Sequence, residues 1–163
     1  MPSPSTTPKR LQCVNRVASQ LSAITAGATY WYTPRVYKRF YLPQEISDPV
    51  AYMVYTTTGG ETKYDGACGA NTTYDEDFFI TVHGCVRSST DTTTMVEKAI
   101  HDVRTAIDAD SIAKATSGSL GYICVECRME EPPEIDNACL ETMGIGLFDL
   151  KIRCKITGTY AEL

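Results

Sequence analysis

Hydrophobic residues recur at helical spacing in two segments of the chain. In the first, Thr7 and Pro8 fit an N-cap and a first helical position, and the repeat runs until Gly27. The second follows several capping side chains at positions 88–91. The stripes are Leu11, Val14, Val17 or Ala18, Leu21 and Ile24 in the first segment, and Val96, Ile100, Val103 and Ile107 in the second, where Glu97, Lys98, Asp102 and Arg104 fall on the polar side. Two amphipathic helices are predicted, each with one buried face.

Five segments have the composition or the two-residue alternation of strands. The clearest is the last, where apolar residues from Phe148 to Ile156 alternate with charged ones. In the fourth, Val125 and Cys127 share the apolar face, Cys124 lies on the other, and two prolines at 132 and 133 are expected to end the strand. The predicted strands are 30–41, 50–58, 78–86, 122–129 and 148–156.

The order of these elements predicts an α+β fold. Two helices can cover only one face of a mostly antiparallel sheet of about five strands, so the other face is expected to be solvated or to meet a partner. Residues 1–7 are rich in Ser, Thr and Pro and are predicted to be a flexible arm, while residues 8–163 form a single domain. The glycine-rich stretch at about 59–77 is a long loop or a protruding hairpin.

Charge and composition narrow the classes of function. The 163 residues carry a formal net charge of -5, which argues against attraction of the whole molecule to nucleic acid. The N-terminus lacks an apolar signal core and no run of eighteen apolar residues occurs, so a soluble product of the cytoplasm with no membrane partner is expected.

Motifs for catalysis or cofactor binding do not occur in the sequence. It has no GxSxG, HExxH, GxxxxGK[ST] or GxGxxG pattern, and no serine or cysteine has a recognisable base partner. Five carboxylates between Glu126 and Asp136 lack the DxDxDG order of a calcium loop, so a solvated acidic loop is expected there. No enzyme activity, cofactor or metal is predicted, and His83 and His101 are expected to be solvated.

The seven cysteines are an odd number, so at least one thiol is free or pairs with another chain. Cys124 and Cys127 form a CxxC, but on a regular strand their side chains would face opposite sides and could not share a metal or a disulfide. A thiol enzyme is therefore the last of the alternatives. Cys68 and Cys139 lie in predicted loops and are candidates for an inter-subunit disulfide.

Two surfaces are candidates for contacts with partners. An aromatic patch mixes basic and aromatic side chains, which suits either a protein interface or stacking on single-stranded nucleic acid, with the net negative charge favouring the interface. The patch comprises Trp31, Tyr32, Arg35, Tyr37, Lys38, Arg39 and Tyr41. A basic stripe of Lys151, Arg153 and Lys155 on the last strand faces solvent, a neighbouring subunit or DNA inside a ring.

The layout of the chain resembles the tail-terminator proteins of long-tailed bacteriophages. The resemblance covers nearly the whole chain and rests on the N-terminal helix, YWYTPRVYKRFYLP, PVAYMVYTTT, FFITVHGCV, VEKAIHDVRTAI and GLFDLKIRCKITGTY. It implies a homo-oligomeric ring, usually a hexamer, that caps the tail tube and ends its polymerisation. Other head-tail connector or minor capsid proteins have similar layouts and remain an alternative, as does a single-stranded nucleic-acid-binding module.

The resemblance also implies where the protein acts and what it contacts. It would be made in the host cytoplasm and reside in the tail-neck region of the virion. Its partners would be copies of itself, the tail tube protein, a sheath protein if the tail is contractile and the head-completion or connector protein. DNA would pass through the ring without sequence-specific contact. A basic stripe that faced this channel would grip the DNA, so the resemblance requires the stripe to lie outside the channel, and otherwise the assignment to this family is wrong.

Overall fold

A computed structural model of the protein describes residues 7–57, 62–65, 73–88, 90–112, 120–136 and 144–159. The fold is α+β. It has two long helices, α1 (Lys9–Ser22) and α2 (Thr92–Ile112), and a one-turn helix α3 (Leu120–Ile123) that follows α2 in the chain. The strands are β1 (Arg35–Tyr37), β2 (Val50–Thr57), β3 (Thr62–Asp65), β4 (Thr73–Arg87), β5 (Glu126–Asp136) and β6 (Ile145–Thr159).

The strands form one six-stranded sheet in the order β1-β2-β4-β6-β5, with β3 paired to the first residues of β4. All pairings are antiparallel except β1 with β2, which is parallel. Strands β4 and β6 pair along their whole lengths, from Thr73 opposite Thr159 to Arg87 opposite Ile145. This long ladder forms the centre of the sheet. Within the 59–77 region, Thr62–Asp65 pairs antiparallel with residues 73–76.

Both long helices pack on the same face of the sheet. Their predicted apolar stripes are buried against alternate residues of β4 and β6, and only Leu11 stays largely exposed. The strand residues of this core include Phe78, Ile80, Val82, Leu150, Ile152, Cys154 and Ile156. The alternation in the sequence therefore identified the buried face of the two central strands correctly.

The other sheet face, which we call the helix-free face, is partly covered by the chain itself. Residues 38–46, here named the strap, cross one end of it and bury Ile46 against Met53, Cys85 and Leu147. The backbone N–H of Tyr41 donates to Met53 Sδ at 3.1 Å, and Arg87 donates to the carbonyl of Pro43. A second, smaller apolar cluster thus holds the strap in place, which the sequence analysis did not predict.

The predicted strand at 30–41 was too long. Only Arg35–Tyr37 is a strand, and it lies parallel to β2 with Val36 opposite Tyr52. The aromatic and β-branched composition of the segment reflects packing of the strap and of Val36 on two different faces, rather than one continuous strand.

The predicted strand at 122–129 was shifted along the chain. Its start is the one-turn helix α3, and β5 continues through Pro132 and Pro133 to Asp136. Proline is tolerated there because β5 is an edge strand and its register with β6 is interrupted between Glu130 and Glu134. The shift also changes the inward side: Val125 is 63% exposed, whereas Cys124 is buried.

Two aspartates of α2 are buried. Asp102 was assigned to the polar side of the helix, which was wrong, because it is fully buried beneath residues 31 and 32. Asp110 accepts hydrogen bonds from Arg16 of α1, the shortest at 2.7 Å, and from the backbone N–H of Leu120 in α3 at 2.9 Å. It therefore joins all three helices. The pKa of Arg16 is raised, chiefly by its hydrogen bond to Asp110.

None of the helices in the described part of the chain combines the length and apolarity that a membrane crossing requires. The predicted arm at residues 1–7 lies outside the described residues except for its last position.

Candidate assembly surface

The aromatic patch begins with two residues that are fixed by a buried carboxylate. The backbone N–H groups of Trp31 and Tyr32 donate to Asp102 at 2.9 and 3.0 Å. Because the carboxylate is buried, these bonds are shielded from water and hold the segment firmly on α2. The Trp31 ring remains 56% exposed, and the Lys98 ammonium lies 4.3 Å from its centre. Trp31 is therefore an exposed aromatic side chain on a rigid backbone.

Apart from Lys38, the rest of the patch lies on the opposite side of the sheet, with the strap. The rings of Tyr37 and Tyr41 are 4.7 Å apart, and the guanidinium of Arg39 lies 4.0 Å above Tyr41. Arg35 lies 5.9 Å from the centre of the Tyr37 ring. These contacts cover ring faces on which nucleic-acid bases would otherwise stack. They also engage the two guanidinium groups with tyrosine rings of the same chain.

The tyrosine hydroxyl and the remaining lysine of the patch also have partners within the chain. The Tyr37 hydroxyl donates to Asp48 at 3.0 Å, and desolvation followed by this carboxylate raises the Tyr37 pKa. Lys38 donates to Asn15 of α1 at 3.1 Å. The predicted residues therefore form two main groups, one on α2 and one at the strap, with Lys38 directed toward α1, and not a single continuous surface.

Two exposed apolar residues of the strap are further contact candidates. Phe40 is 51% exposed and Leu42 is 57% exposed, although each is a large hydrophobic side chain. Phe40 packs edge-on against Tyr55 at 6.1 Å and lies 5.4 Å from His83. The sequence signal for Phe40 and Leu42 is their position in the aromatic segment between Tyr37 and Pro43. Exposed aromatic and aliphatic groups of this kind are typical of interface centres.

The basic stripe lies on the helix-free face, and each of its cations is paired. Lys151 bonds Glu134 of β5 at 2.6 Å, and Arg153 bonds Asp77 of β4 at 2.8 Å. Lys155 lies 3.4 Å from Asp75 of β4. The hydrogen bond that Lys151 donates to Glu134 raises the Lys151 pKa, and the hydrogen bond that Arg153 donates to Asp77 raises the Arg153 pKa. The stripe is thus the middle row of a ladder of ion pairs across three strands.

The carboxylates of this ladder were predicted only as part of an acidic loop or a hairpin. Cross-strand register places Glu126 opposite Lys155, Glu130 opposite Lys151 and Asp77 opposite Lys155, so acidic residues flank the stripe on both sides. Glu130 and Glu134, which were expected in an acidic loop, belong to β5, as does Glu126. The β4–β6–β5 part of the helix-free face is therefore polar and mixed in charge, and the three cations of the stripe are paired within the subunit.

His83 is not solvated, contrary to the sequence-based expectation. Its side chain is 12% exposed, and Nδ1 lies 2.5 Å from Asp149 Oδ1 on β6. A shallow cavity of about 270 Å³ lies beside this pair and is also lined by Glu134 and Asp136. His101 is exposed on α2, as expected. The His83–Asp149 pair links the two central strands next to the strap.

The cysteines are distributed differently from the prediction. Cys68 and Cys139 lie outside the described residues. Cys124 and Cys127 do not face opposite sides: Cys124 is buried in the main core, and Cys127 packs against the same core. The turn between α3 and β5 reorients Cys124, so the regular alternation assumed from the sequence does not apply there. Within the described ranges, no group of three or more His, Cys, Asp or Glu residues is arranged to hold a metal ion.

Comparison of the sequence with protein-family models and with curated proteins finds no match in either case.

Proposed function

We propose that the protein is a structural subunit of a ring that caps the tail tube of a long-tailed bacteriophage, ends its polymerisation and joins it to the head connector. The observation that carries the proposal is the helix-free face, where the stripe of Lys151, Arg153 and Lys155 is matched by carboxylates of β4 and β5. The hexameric copy number, the virion location and the partners come from the resemblance alone.

A face of this kind suits the lining of a channel through which DNA moves. Binding of DNA depends on positive charge that is free to replace the counterions of the phosphates. The paired cations of the stripe offer little such charge, so DNA would pass without being held. The basic stripe is therefore not expected to hold DNA in the channel.

Assembly into a ring also requires a contact between two different surfaces of neighbouring subunits. Trp31 on one side of the sheet and Phe40 and Leu42 on the other are exposed apolar groups on well-anchored backbone. Their separation to two sides of the subunit fits a head-to-tail contact better than a single two-fold one. The same separation argues against one continuous groove for single-stranded nucleic acid.

The first experiment measures self-association and binding to tail tubes. Light scattering after size exclusion is expected to give a mass several times 17.9 kDa at high protein concentration, and electron micrographs should show rings at the ends of added tail tubes. Fluorescence titration with a labelled single-stranded oligonucleotide at low salt is the control for the alternative function. A protein that stays monomeric, does not bind tail tubes and binds the oligonucleotide in a salt-dependent way would contradict the proposed ring.

Variants then locate the contact. Trp31→Asp and Phe40→Asp are each expected to lower the oligomer fraction at least tenfold, because a charge would be buried in the interface. Val125→Asp is the matched control, since Val125 is also a large exposed hydrophobic residue but lies outside both groups. Circular dichroism should show that all three variants fold. If Val125→Asp alone dissociates the oligomer, the contact lies at the β5 edge instead.

A further inference from the structure

Four cysteines from three separate parts of the chain meet in the core. Cys13 comes from α1, Cys124 from the turn after α3, Cys127 from the start of β5 and Cys154 from β6. Cys127 and Cys154 are directly opposite each other in the β5–β6 ladder. All four are free thiols in the structure. The cluster plays no part in the proposed function.

Within the cluster, Cys13 and Cys124 are in sulfur-to-sulfur contact. Their Sγ atoms are 3.3 Å apart, although the residues are separated by 111 positions in the sequence. Cys13 is fully buried and Cys124 is 6% exposed. A disulfide requires the two sulfurs to approach to about 2.05 Å, so a small movement of two side chains is sufficient.

The electrostatic environment favours a thiolate at Cys13. Hydrogen bonds from the thiols of Cys124 and then Cys154 lower the Cys13 pKa to about 5. The bond with Cys13 in turn raises the pKa of Cys124, and bonds with Cys124, Cys127 and Cys13 raise that of Cys154. The pair thus combines a nucleophilic sulfur with an adjacent protonated one, which is the arrangement that oxidation of a dithiol uses.

We propose that Cys13 and Cys124 are a site of oxidative modification, at which a hydroperoxide converts the two thiols into an internal disulfide. The sulfur of one cysteine attacks the peroxide oxygen, which breaks the O–O bond and gives a sulfenic acid and, with hydrogen peroxide as oxidant, one water. The sulfur of the second cysteine then attacks the sulfenic sulfur, the S–S bond forms and a second water leaves. Two thiols lose two protons and two electrons, and the peroxide takes up both.

The cross-link would join α1 to the segment that enters the edge strand β5. It closes a long loop of the unfolded chain, so its stabilising effect is expected to be near the upper end of the range for single disulfides. In the folded protein it would fix the N-terminal helix to the sheet. The proposal concerns one subunit and does not require the ring.

Peptide mapping of the wild-type protein tests the proposal directly. The reduced protein is treated with hydrogen peroxide, alkylated under denaturing conditions and cut with trypsin and a protease that cleaves after glutamate. Trypsin places Cys13 in residues 11–16, and cleavage after Glu126 separates Cys124 from Cys127. The expected product is the 11–16 peptide linked to the peptide that contains Cys124, lighter by two hydrogens and released by dithiothreitol. A link through Cys127 or Cys154, or unlinked peptides, would overturn the assignment.

Thermal unfolding gives a second measurement. Oxidation is expected to raise the Tm of the wild type by about 10 °C, and reduction should reverse the change. Cys13→Ala and Cys124→Ala should lose this shift, whereas Cys85→Ala, which removes a buried thiol from the other face of the sheet, should keep it. If native mass spectrometry of the reduced protein with added zinc shows one tightly bound ion that blocks all four thiols, the cluster is a metal site and the proposal fails.

Discussion

The ring of Phe148 lies over the backbone of Gly84, its direct partner across the β4–β6 ladder. A Cβ atom at position 84 would be only 2.1 Å from Phe148 Cζ, so any larger residue would displace the ring. Phe148 is fully buried and packs edge-on against Tyr52 at 6.3 Å. The glycine in the middle of a central strand thus provides the space for one of the largest residues of the core.

The first prediction follows from this contact. Gly84→Ala is expected to lower the free energy of unfolding by about 1–3 kcal/mol, because the core must accommodate a methyl group where the ring now lies. Gly27→Ala is the matched control, since its added Cβ would meet only the carbonyl oxygen of Thr25 at 4.0 Å. Urea unfolding measures both. In a double-mutant cycle, Phe148→Leu should cost less in the Gly84→Ala background than alone, and strict additivity would contradict the steric explanation.

The second prediction concerns the buried ion pair of the helices. Asp110→Ala should destabilise the protein by about 3 kcal/mol, the lower part of the range for a buried pair, because the Arg16 side chain is 26% exposed and can be partly rehydrated. Asp110→Asn should cost less, since an amide oxygen can still accept from Leu120. Asp108→Ala, on the exposed side of the same helix, should change stability by less than about 0.5 kcal/mol. Equal losses at positions 108 and 110 would contradict the role of the ion pair.

The third prediction concerns the start of α2 at low pH. The Asp91 carboxylate accepts hydrogen bonds from the side chain and the backbone N–H of Thr94, which lower its pKa. A group with a lowered folded-state pKa stabilises the protein above its unfolded-state pKa, about 4, and that contribution disappears as the pH falls through the folded-state value. Asp91→Asn keeps the capping oxygen without the titration. Its Tm should therefore fall less than that of the wild type between pH 5 and pH 2, and parallel curves would argue against Asp91.

The fourth prediction is an inter-subunit disulfide through Cys68 or Cys139. Both cysteines lie outside the described residues. Assembled particles should give a dimer band on a gel without reducing agent and a monomer band with it. Cys68→Ser or Cys139→Ser should abolish the dimer band, whereas Cys13→Ala should not, because Cys13 is buried. Identical mobility with and without reduction would count against the cross-link.

The parts of the fold that were predictable are those with a local periodic signal. The stripes of α1 and α2 and the alternation of β6 depend on neighbouring positions only, and apart from Leu11 their apolar residues are buried on the predicted side. The coarse architecture followed from their order. The aromatic patch was identified by composition, but its division between α2 and the strap depends on tertiary contacts that composition does not encode.

The errors share a different cause. Asp102 is charged and so was assigned to solvent, but it is buried because two backbone N–H groups some seventy positions away need an acceptor. His83 is similarly covered by Phe40 and paired with a residue 66 positions away. Prolines 132 and 133 suggested the end of a strand. They are tolerated inside β5 because β5 lies at the edge of the sheet. In each case a contact with residues distant in the sequence determines the burial or the strand boundary, and local sequence patterns do not indicate such a contact.

The two edges of the sheet differ in their capacity to template further strands. At the β5 edge, Pro132 and Pro133 provide no N–H donors and the register is interrupted, so an incoming chain would meet a broken row of hydrogen-bonding groups. At the opposite edge, β1 covers only residues 51–53 of β2. Beyond it the outer backbone groups of β2 are not paired by β1. The two edges therefore differ: addition of a further strand is disfavoured at the β5 edge, which limits uncontrolled aggregation along that side of the sheet.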